Sequence, residues 1–157
     1  MLLVPQRSCP RGRTPFMGKN SYGGQRPLTP AQQAYFLKLT FPGFRVVTAR
    51  SELRCVGRLQ PTATSDKYTV ELEYKVPSRP RVRVLRPELR LAEGRTKLPH
   101  VFPGNELCLY TSPEWRPDQR IDQFIVPWIS FWLFFYEVWL VSGEWLGGGH
   151  EPSAGKT

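Results

Sequence analysis

The residues best equipped for covalent chemistry lie between Leu98 and Pro117, in the run L-P-H-V-F-P-G-N-E-L-C-L-Y-T-S-P-E-W-R-P. Cys108 stands eight residues after His100, with Pro103-Gly104-Asn105 between them and Trp115-Arg116-Pro117 behind. A thiolate is a strong acyl-accepting nucleophile, and its thioester gives up the acyl group when an amine attacks. An imidazole beside it can take a proton or donate an N–H to the oxyanion that forms. Cys108 is therefore the candidate nucleophile, and His100 the candidate oxyanion donor or base. On residue type alone, a cysteine between Leu107 and Leu109 reads more readily as inert core packing. His100 reads equally as a loop-shaping residue bonded to backbone. Gly104-Asn105 has the composition of an ordinary turn, with Asn105 as a second donor in the alternative. Glu114 and Asp118 are either solvated charges and helix caps or groups that orient an incoming amine.

The remaining titratable residues offer less. Cys9, Cys55 and Cys108 are widely spaced with no C-x-x-C pair, which argues against a zinc site. Neither a metal nor any other cofactor is expected. An odd cysteine count gives no obvious disulfide framework and suits a reducing, cytoplasmic setting. Met1-Leu2-Leu3-Val4 is too short an apolar run for a signal peptide, and Pro5 interrupts it. A Cys-His-Asp protease triad ranks low, because only His100 and His150 are present and no G-x-C-x-G-like elbow occurs.

The elements that must position Leu98–Pro117 follow from pattern. Residues 1–28 are rich in Arg, Gly, Pro and Ser without an acidic residue, and read as a flexible basic tail. Thr29-Pro30 is an N-cap followed by a favoured first helical residue, so a helix runs to about Leu39 and ends before Phe41-Pro42-Gly43. Four strand-like runs come next: Phe44–Ala49, Glu52–Leu59, Tyr68–Val76 and Arg81–Leu85. In the second, Leu53, Cys55, Gly57 and Leu59 share one face, which puts Cys55 in the core. Close spacing of the runs predicts an antiparallel meander. Alternation stops at Arg86, and residues 86–106 read as a long, functional loop that delivers Cys108. Arg120–Ser142 reads as the main helix, with Asp118 or Asp122 as cap, Pro127 in its first turns and Gly143 at its end. Its apolar stretch approaches membrane-spanning length, but Asp122, Gln123, Ser130 and Glu137 interrupt it. We therefore expect it buried against the sheet or at a partner interface, not in a membrane. Residues 29–146 would form the domain, and 147–157 a Gly-rich tail.

This α+β plan resembles the ubiquitin-conjugating (UBC) fold. Y-T-V-E-L-E-Y-K-V-P-S-R-P-R-V-R-V-L is similar to that family's third strand, its Pro-x-x-Pro turn (here Pro77 and Pro80) and its fourth strand. Leu107-Cys108-Leu109 resembles the context of the family's catalytic cysteine, and Trp115-Arg116-Pro117 its Trp-x-Pro. Where the family has His-Pro-Asn, this chain has Leu98-Pro99-His100, so His100 falls at the asparagine position. More narrowly, P-H-x-F-P-G-N-x-L-C-L-Y, E-W, I-V-P-W and Y-E-x-W-L-x-x-G-E-W-x-G-G-G resemble the stand-alone UBC-like proteins of bacterial cyclic-oligonucleotide-based anti-phage signalling (CBASS) systems. The resemblance implies a cysteine acyltransferase that carries a thioester on Cys108 and passes a protein C-terminus to a target lysine. The implied acyl donor is a cGAS-like nucleotidyltransferase or a ubiquitin-like protein; this chain has no nucleotide-binding fingerprint, which leaves open where the donor is activated, a separate activating enzyme being one source.

Charge bears on partners. Residues 1–100 carry 19 Lys/Arg against 6 Asp/Glu, a net +13, whereas residues 101–157 carry 3 against 7, a net −4. Arg79, Arg81, Arg83, Arg86, Arg90 and Arg95 alternate with apolar residues as a basic strand face would. Such a face serves solubility, an acidic docking partner or nucleic acid, and no RNA-binding motif accompanies it. Nucleic acid is thus not the expected partner. Two other readings stand beside the enzyme: a catalytically inactive UBC-like binding module, and a basic RNA- or membrane-associated protein.

Overall fold

The computed structural model describes residues 25–110 and 114–148. Of the tails expected at 1–28 and 147–157, residues 1–24 and 149–157 lie outside it. Strand β2 (Glu52–Leu59) shows how the core is set, because Leu53, Cys55, Gly57 and Leu59 are buried while Glu52, Arg54 and Arg58 are exposed. Its neighbour β3 (Tyr68–Lys75) buries Tyr68, Val70, Leu72 and Tyr74 in the matching register, with Cys55 opposite Leu72. Strands β1 (Arg45–Ala49) and β4 (Arg81–Arg86) flank the pair, all antiparallel. Helix α1 (Pro30–Thr40) starts on a capping box. The Thr29 hydroxyl accepts from the Gln32 N–H, and the Gln32 side chain accepts from the Thr29 N–H.

The meander continues further than expected. Val101–Phe102 (β5) and Glu106–Leu107 (β6) form a hairpin that joins the sheet through β6, giving six strands in the order β1-β2-β3-β4-β6-β5. Two-residue strands carry no readable alternation, so their sequence shows only the Pro-Gly-Asn turn. Between β4 and β5 the chain is strapped down. The Tyr136 hydroxyl accepts from the Arg90 N–H at 2.7 Å and donates to the Arg90 carbonyl at 3.2 Å. The Arg95 guanidinium donates to the Gly143 carbonyl at 2.5 Å.

Helix α2 (Ile125–Ser142) begins later than expected, and neither aspartate caps it. Its N-cap is Phe124, without a side-chain hydrogen bond. Asp118 is instead held by Arg116, and Asp122 by Arg120 and Thr40. Pro127 does sit in the first turn, where its missing N–H costs nothing, and Gly143 ends the helix at φ 72. Ile125, Ile129, Trp132, Tyr136 and Trp139 recur at helical spacing and are buried in the core they share with Leu53, Leu72 and Val82. Burial of each such side chain contributes about 1.5–3 kcal/mol. Glu137, the lone charged residue of α2, accepts from the Ser65 hydroxyl, the Asp66 N–H and the Tyr68 hydroxyl. By length and composition α2 is apolar enough to cross a membrane. In the fold one face packs inward, and Phe131, Phe134 and Val141 are exposed on the other.

Candidate functional site

The β5–β6 hairpin turns the eight-residue spacing between His100 and Cys108 into a juxtaposition. Val101 pairs with Leu107 and Phe102 with Glu106, so the next register position sets His100 opposite Cys108. The Cys108 N–H donates to the His100 carbonyl at 2.9 Å. The reversal at Pro103-Gly104-Asn105 needs left-handed backbone, with φ 81 at Gly104 and φ 56 at Asn105. Glycine and asparagine adopt that region most readily. Asn105 is exposed at the tip, where it serves as the turn residue.

His100 is itself left-handed, at φ 47, and only 5% exposed. Its carbonyl accepts a second bond, from the Trp132 indole N–H at 3.1 Å. Its ring stacks on Trp145 with centroids 4.9 Å apart and planes 28° from parallel. Trp132 thus bonds the His100 backbone, and Trp145 stacks on its ring.

Cys108 follows β6 directly and is 8% exposed, not on an open loop as the sequence suggested. The cause is the hairpin: β6 is flanked by β4 and β5, which buries Leu107 and draws the next residue in with it. Cys108 is disulfide-bonded in the structure, contrary to the expectation from the odd cysteine count, so nucleophilic chemistry belongs to its reduced form. Cys55 is a free thiol in the core, where burial pushes its pKa up to about 12, which makes it unreactive.

The charges around the hairpin are paired. Glu106 is buried and takes Arg79 at 2.5 Å and Arg81 at 3.0 Å. On the outer sheet face Arg54 pairs with Glu71, and Arg83 lies 4.0 Å from Glu73. Of the basic strand face read from the sequence, Arg79, Arg81 and Arg83 are thus each paired with a glutamate. The Arg90 backbone and the Arg95 side chain hold the loop between β4 and β5 instead.

Beyond the cysteine, Glu114 is half-buried and Trp115 is buried edge-on to Tyr74, with ring centroids 5.8 Å apart. The buried Pro117 carbonyl accepts the Leu28 N–H at 2.9 Å, which ties the start of the domain to this segment. The Arg116 guanidinium hydrogen-bonds the Asp118 carboxylate and holds its pKa below the ordinary value. Tyr110, two residues after Cys108, packs on Trp128, and burial raises its hydroxyl pKa well above the ordinary value.

The family model described as Type II CBASS E2 protein matches residues 33–152. That span covers most of the chain. This protein belongs to the Type II CBASS E2 family. No curated protein sequence matches it. Membership gives this CBASS E2 protein a role in anti-phage conjugation, with partners inside the CBASS system. Two residues of the site escaped the sequence reading. Trp132 and Trp145 looked like parts of an aromatic helix and its tail. In the sequence Trp145 stood out only as part of the E-W-x-G-G-G run of the resemblance.

Proposed function

We propose that this CBASS E2 protein is a UBC-fold cysteine acyltransferase that works through a thioester on Cys108. The observation that carries the reading is the opposition of His100 and Cys108 across the β5–β6 hairpin, in a chain of an E2 family. In the first step the reduced Cys108 sulfur attacks the activated C-terminal carbonyl of the donor. A carbon–sulfur bond forms and the donor's leaving group departs. In the second, an amine nitrogen attacks the Cys108 thioester, the carbon–sulfur bond breaks, and the amine's proton passes to solvent. The transient oxyanion of that second step is stabilised by an N–H of His100, the residue at the position where UBC proteins carry asparagine. The acyl donor is the C-terminus of a cGAS-like nucleotidyltransferase, the acceptor is a protein lysine, and the setting is the bacterial cytoplasm. The short aromatic core and the paired outer-face charges favour this reading over an RNA-binding protein.

The test uses protein pre-reduced with a phosphine, because a thiol would discharge the product. It is mixed with the nucleotidyltransferase carrying a C-terminal mercaptoethanesulfonate thioester, which bypasses the activating enzyme. A covalent adduct that is cleaved by added thiol and absent from Cys108→Ala is expected. An equally abundant adduct in Cys108→Ala would overturn the assignment.

A further inference from the structure

Helix α2 carries a second apolar stripe, which faces away from the core. Phe124, Pro127, Phe131, Phe134, Val138 and Val141 follow one another at alternating steps of three and four residues. At about 100° per residue they lie on the side of the helix opposite the buried set that begins at Ile125 and ends at Trp139. Phe131 is 58% exposed, Phe134 39% and Val141 91%, and the other three are partly exposed. No charged residue interrupts the stripe. A single exposed apolar side chain needs no explanation, but an unbroken row along a whole helix does.

Its spacing is that of a seam between two helices, because a repeat of about 3.5 residues keeps a row of side chains facing a partner helix of the same pitch. A membrane surface demands no such repeat, and helices that lie on one carry Lys or Arg along their flanks. Ile125–Ser142 contains neither. The bare apolar area of the stripe with the adjoining Trp128 and Phe135 is on the order of 500 Å², at the upper end of what a monomer leaves exposed. Doubled across a twofold axis and completed by a polar rim, it yields an interface of about 1,600 Å², the size that a stable dimer buries.

The stripe also complements itself. An antiparallel pair, with the twofold between Phe131 and Phe134, sets Phe131 of one copy against Phe134 of the other. The same register sets Pro127 against Val138, and the large ring of Phe124 against the smaller Val141. A parallel pair would align the two helix dipoles, and α2 has no acidic residue in its first turn and no basic residue in its last to offset that. We infer that the outer face of α2 is a homodimer interface, in which two copies of this chain pack antiparallel through Phe131 and Phe134. The inference does not depend on the thioester chemistry.

The experiment is sedimentation equilibrium of the full chain from about 1 to 100 µM, pre-reduced with a phosphine so that no disulfide links the copies. The parent protein reaches twice the chain mass within that range. Phe131→Glu and Phe134→Glu each weaken the dimer on the order of 100-fold or more, because a charge enters the seam. Val141→Glu does the same at the most exposed position of the stripe, and covers the case in which an aromatic variant does not fold. Phe131→Glu/Phe134→Lys dimerises more tightly than either single variant, since opposite charges meet across an antiparallel seam. A parent protein that stays monomeric throughout the range would overturn the inference, as would a dimer of parent strength in all three single variants. A double variant weaker than both of its single variants would overturn the antiparallel packing. A monomeric parent that floats with vesicles of phosphatidylcholine and phosphatidylglycerol, while Phe131→Glu does not, would assign the stripe to lipid and overturn the inference.

Discussion

The Cys108 amide donates to the His100 carbonyl across 2.9 Å, which locks two residues eight apart in sequence into one register position of a hairpin. A left-handed histidine makes that geometry specific. Asparagine and histidine are among the few side chains that tolerate φ near +50°. His100→Asn is therefore expected to keep the backbone and to restore an N–H donor, whereas His100→Ala loses both advantages. Discharge of a Cys108 thioester to lysine should fall about 10²-fold in His100→Ala and markedly less in His100→Asn. Loading should change little in either. A base role would instead leave His100→Asn as slow as His100→Ala.

Glu106 is buried between two half-exposed arginines, and each can hold it alone. Arg79→Ala and Arg81→Ala should each destabilise the fold by less than about 1 kcal/mol, because one partner remains. The double variant strands a buried carboxylate and should cost about 2–3 kcal/mol, more than the sum. Urea unfolding of the three variants reads the difference directly.

Asp122 ties α1 to the segment before α2. Its burial alone would raise its pKa, but hydrogen bonds from Arg120 and Thr40 outweigh that and bring it below the ordinary 3.8. A carboxylate depressed in the folded state contributes stability above its unfolded pKa and loses it as pH falls through the folded one. The parent protein should therefore lose stability below about pH 4, where Asp122→Asn should show a shallower loss from a lower starting midpoint. Thermal melts from pH 7 to pH 2 check this. Parallel curves for the two proteins would contradict it.

Gly57 lies directly beneath the Phe44 ring, and a Cβ there would approach ring carbons to 2.1 Å. Phe44 is in turn stacked on Phe41, with centroids 5.0 Å apart, and has little freedom to move. Gly57→Ala should destabilise the protein by about 1–3 kcal/mol, measured as a drop in the urea midpoint at constant slope.

The sequence carried most of the scaffold because its signals there are strong. The period-2 alternation of Glu52–Leu59 matches β2 residue for residue, and Thr29-Pro30 marks the start of α1 through capping chemistry. It carried less of the edge that builds the site. Strands β5 and β6 have two residues each and owe their existence to pairing with each other and, through β6, with β4, which no local pattern encodes. That same pairing buried Cys108, although the surrounding residues read as a loop. The aspartates before α2 looked like caps, yet Arg116 and Arg120, two residues before each, claim them. The contact between Trp145 and His100 spans 45 positions and depends on the turn at Gly143, so spacing alone could not reveal it.

The central claim is that the acyl group resides on Cys108. Intact-mass measurement of the loaded, pre-reduced protein, followed by peptide mapping at mildly acidic pH, locates it. The account predicts one acyl adduct, confined to the peptide that contains Cys108, and in Cys108→Ser an ester that resists thiol but yields to hydroxide. An acyl group mapped to Cys9, Cys55 or a lysine, with Cys108 unmodified, would contradict it.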